Sequence, residues 1–266
     1  MIRKPVVAGR FYPGTKAALA AAVEKLLPQG VREEAIAVLS PHAGYMFSGG
    51  VAGSVYSSVK VPDRVILMGP NHTGLGAPVA VAASGQWEIP LGKVTVDEET
   101  ARELIAASHL FSRDMEAHLM EHSLEVQLPF IYAVNPRASI VPITVMRATA
   151  NECEEMGRAI AGVLFEKKGA TLIVASTDMN HYEADSITRK KDSRALERVL
   201  ALDARGLLDV AAKEDITMCG VVPSAIAIFA ARALGARHST VVKYATSGDV
   251  NGETKQVVGY AGVVIR

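Results

Sequence analysis

Cysteine is nearly absent from this chain of 266 residues: there are two, Cys153 and Cys219, too few for a disulfide framework. Long apolar runs are missing as well. Gly, Pro or a charged residue interrupts each apolar stretch well before the roughly 18 residues that a membrane span needs. The opening segment, "MIRKPVVAGRFYPGTK", has no apolar core of the kind a secretory signal carries. These absences set the expectation of a protein in a reducing cytoplasm, with no membrane partner. An excess of either charge is lacking too, since Lys plus Arg and Asp plus Glu number 28 each. Without a basic field, nucleic acid drops out as a partner. Internal repeats and low-complexity segments are also wanting.

What is there is hydrophobic: 49% of residues, against 21% charged. That balance predicts a packed core, and the length suits a single domain over 1–266. Strand-like and helix-like segments alternate. "TKAALAAAVEKLLP" predicts a helix at about 15–27, stopped by proline. "AIAVLSPHAGY" reads as a buried strand leading to His42. "GGVAGSVYSSVK" reads as a helix, in which Gly49, Gly50 and Gly53 serve either close helix packing or close approach to a ligand. "RVILMGPNHTG" repeats the plan of strand, break and histidine at His72, and "ATLIVASTDMNHYE" repeats it again with Asp178 and His181. Further helices are expected over 97–108, in "EHSLEVQLPFIYAV" with an interruption near Pro129, in "ECEEMGRAIAGVLFEKK", and near 190–201, 203–212 and 223–234. "ASIVPITV", "STVVKYATS" and "VVGYAGVVI" read as strands. The fold expected is α/β: a mostly parallel central sheet flanked by helices, with a ligand crevice at the carboxyl ends of the strands.

Three histidines in equivalent places after strands is the pattern that points to chemistry. Each alone is as well explained by a bond to a loop carbonyl, but a parallel sheet brings such ends to one edge. Asp178 fits a turn cap as well as a site residue. Cys219, in "ITMCG", lies in a break between elements, which suits a ligand or reactive thiol as readily as an inert core position. Cys153 falls within a helical pattern and has no assigned role. His109, His118 and His238 read as solvated, and Trp87 as pocket or core. His122, with Glu121 and Glu125, is placed on a helix with its role open.

"AGRFYPG", "PHAGYMFSGG", "GPNH", "EHSLEVQLPF", "STDMNHY" and "TMCG", in that order, resemble the Memo family, mediators of ErbB-driven cell motility in animals and, in microbes, part of the AmmeMemoRadiSam system. The resemblance spans nearly the whole chain. It implies the fold of the class III extradiol, LigB-type dioxygenases, which are non-haem iron enzymes. It also implies metal positions at His42, His72 and Cys219, and pocket positions at Asp178 and His181, where His181 falls at a general acid/base position. Dioxygenases of that fold use a carboxylate where this chain has Cys219, which sets ring cleavage in doubt. A thiolate softens the site toward copper(I) or zinc while still admitting iron. The expected cofactor is a divalent or redox metal, iron or copper ahead of zinc.

Three activities follow as expectations. The first is a metal-dependent oxidoreductase in which His181 moves a proton. The second is a non-catalytic binding module working with a radical SAM enzyme and an AMMECR-type protein, the partners that the resemblance implies. The third is a metallohydrolase.

Overall fold

The structure, a computed structural model, describes residues 1–266. The first part of the chain forms β1 (Ile2–Arg3), α1 (Lys16–Leu26), β2 (Ala37–Ser40), α2 (Tyr45–Ser58) and β3 (Arg64–Pro70). Short strands follow, β4 (Val79–Val81), β5 (Gln86–Ile89) and β6 (Gly92–Thr95), then α3 (Glu98–Ala107), β7 (Ser112–Arg113) and α4 (Glu116–Leu119). The middle holds α5 (Leu128–Val134), β8 (Ser139–Val145), α6 (Ala150–Phe165), β9 (Thr171–Ser176) and β10 (His181–Glu183). The chain closes with α7 (Asp185–Leu200), α8 (Ala204–Lys213), α9 (Val221–Ala233), β11 (Ser239–Thr246), α10 (Gly248–Asn251) and β12 (Val257–Ile265).

The main sheet has nine strands in the order β10-β12-β2-β9-β3-β8-β4-β7, with β11 also paired to β12. Its centre, β2, β9, β3 and β8, is parallel. Its margins are antiparallel where β12 meets β2 and where β4 meets β8. Strand burial explains the unbroken Val/Ile/Leu runs of the centre, because both faces are covered. Successive residues divide between the faces: Ile66 and Met68 enter a core of 40 buried residues with α6 and α9, while Val65 and Leu67 enter a core of 28 with α1, α2 and α5. A second sheet of three strands, β1-β5-β6, lies beside the smaller core.

Helix starts follow side-chain chemistry. Thr149 and Glu152 form a reciprocal capping box at α6, and Asp97 and Asp203 accept backbone N–H bonds at the starts of α3 and α8.

Three expectations need correcting. The helix expected in "EHSLEVQLPFIYAV" starts late: residues 121–124 form an irregular turn, Glu125–Gln127 a 3-10 turn, and the chain changes to α5 at Leu128, with Pro129 in the first turn, where its missing N–H costs nothing. His118 is fully buried, not solvated; its Nε2 bonds the Ala80 carbonyl. The short strands β4 to β7 lie in a region to which the sequence reading assigned no strand. No helix is long and apolar enough to cross a membrane.

Candidate metal centre

β2, β9 and β3 are neighbours in the sheet, in register Ser40 with Ser176 and Met68 with Ala175. Their carboxyl ends therefore open on one edge. His42 follows β2 by two residues, His72 follows β3 by two, and Asp178 follows β9 by two. The loop from α8 to α9 brings Cys219 to the same edge. Gly220, beside it, is the reason that loop fits: a Cβ there would lie 2.4 Å from Thr177 Cβ and 2.5 Å from the Ser176 carbonyl. The Gly220 N–H donates to Thr177 Oγ1 at 3.0 Å, fastening the loop to the end of β9.

The convergence includes a residue whose role the sequence left open. Ligand atoms of His42, His72 and His122 all lie within 4.8 Å of one another, a group that could hold a metal ion. Their ring centroids are 5.3, 5.6 and 4.8 Å apart for the pairs 42–72, 42–122 and 72–122. His122 arrives from the turn before α5, so helical spacing says nothing about its direction. Glu121 is the signal that was available: an acid entering a mostly apolar segment must find partners if it is buried.

Two of the imidazoles have their outward nitrogens free by construction. Ser176 Oγ has one proton, which it donates to the Ser123 carbonyl at 2.7 Å, and it accepts from Gln127 Nε2 at 2.8 Å. His42 Nδ1, 2.9 Å from that oxygen, must then be the donor, which leaves Nε2 as a ligand. His72 Nδ1 donates to Glu121 Oε1 at 2.9 Å, with the same result. Glu121 also accepts the backbone N–H groups of His72, His122 and Ser123. Burial raises its carboxyl, but the His72 contacts and these backbone donors outweigh burial and hold it at about 2. Burial, with the neighbouring imidazoles, depresses His42, so this ring stays neutral and able to ligate. His72 is raised, its carboxylate partner outweighing burial.

Cys219 Sγ stands 3.4 Å from His42 Nε2 and accepts from the Asp178 N–H at 3.3 Å. Burial and the Asp178 carboxyl push its thiol up, so a cation in the pocket would be needed to stabilise the thiolate. Asp178 reaches the His42 loop, accepting from His42 N at 2.8 Å and Ala43 N at 3.3 Å. Its carboxyl is raised by burial. Its bonds are to that loop and not to the His181 ring, which Thr217 holds instead: His181 N donates to Thr217 Oγ1 at 2.8 Å and Nδ1 lies 2.9 Å from the Thr217 carbonyl. Glu125 is an anchor. Fully buried, it accepts from Val6 N, Val7 N, Tyr12 Oη and Arg3, and so fixes the N-terminal segment that sets Phe11 against the His122 ring at 4.8 Å.

All five residues singled out from the sequence, His42, His72, Asp178, His181 and Cys219, line one cavity of about 630 Å³, together with His122. Trp87 is core, stacked under the Arg3 guanidinium at 4.1 Å. Gly49 and Gly53 face Leu26 of α1 and serve helix packing. A cleft of about 840 Å³ opens at the other end of the strands but offers neither histidine nor cysteine.

The sequence pattern of the Memo-like protein family matches residues 3–264. The chain belongs to the Memo family. A MEMO1 family protein of Methanopyrus kandleri is 41% identical, the match covering all of this chain and 99% of the relative. Relatives in Pyrobaculum aerophilum and Aquifex aeolicus are each 42% identical, over 99% of this chain and 98% of theirs. The pocket of this Memo-family chain thus carries three imidazoles on rigid supports, a thiol within reach of one of them, and a fourth histidine at the wall.

Proposed function

We propose that this Memo-family protein is a metal-dependent oxidoreductase whose ion is held by His42 and His72, with His122 and Cys219 completing the set. The observation that supports this reading is the convergence of three histidine ligand atoms within 4.8 Å, two of them with their rear nitrogens committed to Ser176 and Glu121. Imidazole nitrogens with one thiolate suit iron, copper or zinc, and the thiolate favours the softer ions. When bound, iron or copper would supply one-electron exchange and open positions for substrate. Asp178 holds the His42 loop in place, and His181, its Nδ1 turned to a carbonyl, offers Nε2 to accept or return a proton.

Elemental analysis of protein purified without added metal tests this. One equivalent of iron or copper is expected. His42→Ala and His72→Ala should lose it, and His181→Ala should keep it. Zinc alone at full occupancy would move the reading to hydrolysis, and a metal-free wild type would refute it.

A second reading, a docking module, draws on exposed apolar residues that sit within four positions of a pocket histidine: Met46 at 74%, Leu75 at 45%, Met120 at 61% and Tyr182 at 72% exposure. Scattered surface apolar residues are ordinary, but Tyr182 lines the cavity itself, and an exposed aromatic at that opening favours a partner there. The radical SAM enzyme and AMMECR-type protein are the proposed partners; failure of both to bind in a pull-down, with Met46→Lys as the control, would remove this reading.

A further inference from the structure

Asn180 uses all of its polar groups while fully buried. Its Nδ2 donates to Glu183 Oε2 at 2.7 Å and to Thr188 Oγ1 at 3.4 Å, which fixes which end of the amide is oxygen. Its Oδ1 accepts from Thr217 N at 3.0 Å and Thr217 Oγ1 at 3.1 Å. Its backbone N–H donates to Asp192 Oδ1 at 2.8 Å, and its carbonyl accepts from Gly259 N at 2.9 Å. One side chain therefore ties the segment after β9 to α7 and to the loop after α8. No functional role assigned so far uses it.

Thr217 carries the connection onward in two directions. Its hydroxyl proton goes to Asn180, so the same oxygen is left to accept the His181 N–H. Its carbonyl can only accept, so His181 Nδ1 must carry the ring proton and Nε2 is left as the acceptor. Two residues further on is Cys219, whose Sγ lies against His42 Nε2 and the Asp178 N–H. Removing the hydroxyl would free the His181 N–H and one of the two Asn180 bonds, leaving the Thr217 N–H on Asn180 Oδ1, and so loosen both the seat of His181 Nδ1 on the Thr217 carbonyl and the register of the cysteine loop.

We propose that Asn180 and Thr217 form a single positioning latch, which fixes His181 in the Nδ1–H tautomer and holds Cys219 at bonding distance from the imidazole site. The proposal rests on the metal-site reading for its thiolate half; the tautomer half stands on hydrogen bonding alone. Proton carrier and thiol are set by one contact, so a change in either loop moves both. Asn180 and Thr217 are positioning residues that do not touch the ion.

The test uses the full chain loaded with cobalt(II) in place of the native ion. Thr217→Val keeps the shape and removes the hydroxyl, Thr217→Ser restores it, and Asn180→Ala removes the hub. Wild type should show a thiolate-to-cobalt charge-transfer band, and nitrogen NMR of metal-free protein should report a single His181 tautomer. Thr217→Val should weaken or shift the band, raise the cobalt Kd roughly tenfold or more, the range seen when a ligand's support is removed, and mix the tautomers. Thr217→Ser should recover all three. Asn180→Ala should behave as Thr217→Val if it folds, and Thr217→Val carries the test if it does not. A Thr217→Val protein with wild-type band, affinity and tautomer overturns the latch. A wild type that binds cobalt without the band instead refutes thiolate ligation, and the tautomer measurement then decides the latch alone.

Discussion

At the scale of single residues, a carboxylate, a hydroxyl and a carbonyl decide which nitrogen is available on three of the pocket histidines. Glu121 and Ser176 turn His72 and His42 toward the cavity, and the Thr217 carbonyl does the same for His181. His118 shows the opposite use of the residue type. Burial drives its pKa from 6.5 down to about 4, so it sits neutral in the core with Nε2 on the Ala80 carbonyl. A base whose folded pKa is depressed gives full stability above its unfolded value. As pH falls below 6.5 the unfolded chain takes a proton that the folded chain refuses, and stability declines until about pH 4. The shift corresponds to about 3 kcal/mol for a group this buried. Denaturant titrations of wild type and His118→Gln across pH 7 to 4 should show a steeper decline in the wild type by about that amount. Parallel curves would mean that His118 is protonated in the folded chain.

At the scale of elements, the sequence was readable wherever period and punctuation agree. β2, β3 and β9 appear as apolar runs followed within two residues by Pro, Asn or Asp, and β8 as an apolar run alone; the first three ends deliver His42, His72 and the Asp178–His181 pair. His122 was not readable, because its direction comes from Glu121 accepting three backbone N–H groups in an irregular turn, and no periodicity encodes that. β4 to β7 were missed for a related reason: strands of two to four residues pair at sheet margins through the fold's demand for hydrogen bonds and leave too short a pattern. The small residues of α2 were ambiguous between packing and ligand contact, and the contacts resolve them individually. A Cβ at Gly53 would lie 1.8 Å from the Leu26 carbonyl oxygen, main chain that cannot swing aside, whereas at Gly50 it would meet only Lys243 Nζ at 3.4 Å. Gly53→Ala should therefore destabilise by about 3 kcal/mol, at the upper end of overpacking. Gly50→Ala should be neutral or stabilise by up to about 1 kcal/mol through helix propensity. Thermal melts of the two variants give the comparison, and equal Tm values would contradict the close α1–α2 contact.

At the scale of the whole molecule, the two cores share one sheet, and the metal candidates come from segments as far apart in sequence as His42 and Cys219. β2, β3, α5 and α9 each contribute a neighbouring loop, so the site exists only when both layers of helices are docked on the sheet. An ion that binds the folded chain and not the unfolded one must then raise global stability, by about 4 kcal/mol when free metal is a thousand times its Kd. For a chain of this size that amounts to roughly 10 °C in Tm. Calorimetry of metal-loaded protein should show one cooperative transition over 1–266, lowered by about that interval after exhaustive chelation. His122→Ala, which removes an imidazole without disturbing the Glu121 bonds to His72, separates the two candidate sets. If His122 ligates, the variant's metal-dependent increment shrinks while its chelated Tm stays near that of chelated wild type. If His42, His72 and Cys219 suffice, the increment is retained in His122→Ala and lost in Cys219→Ser.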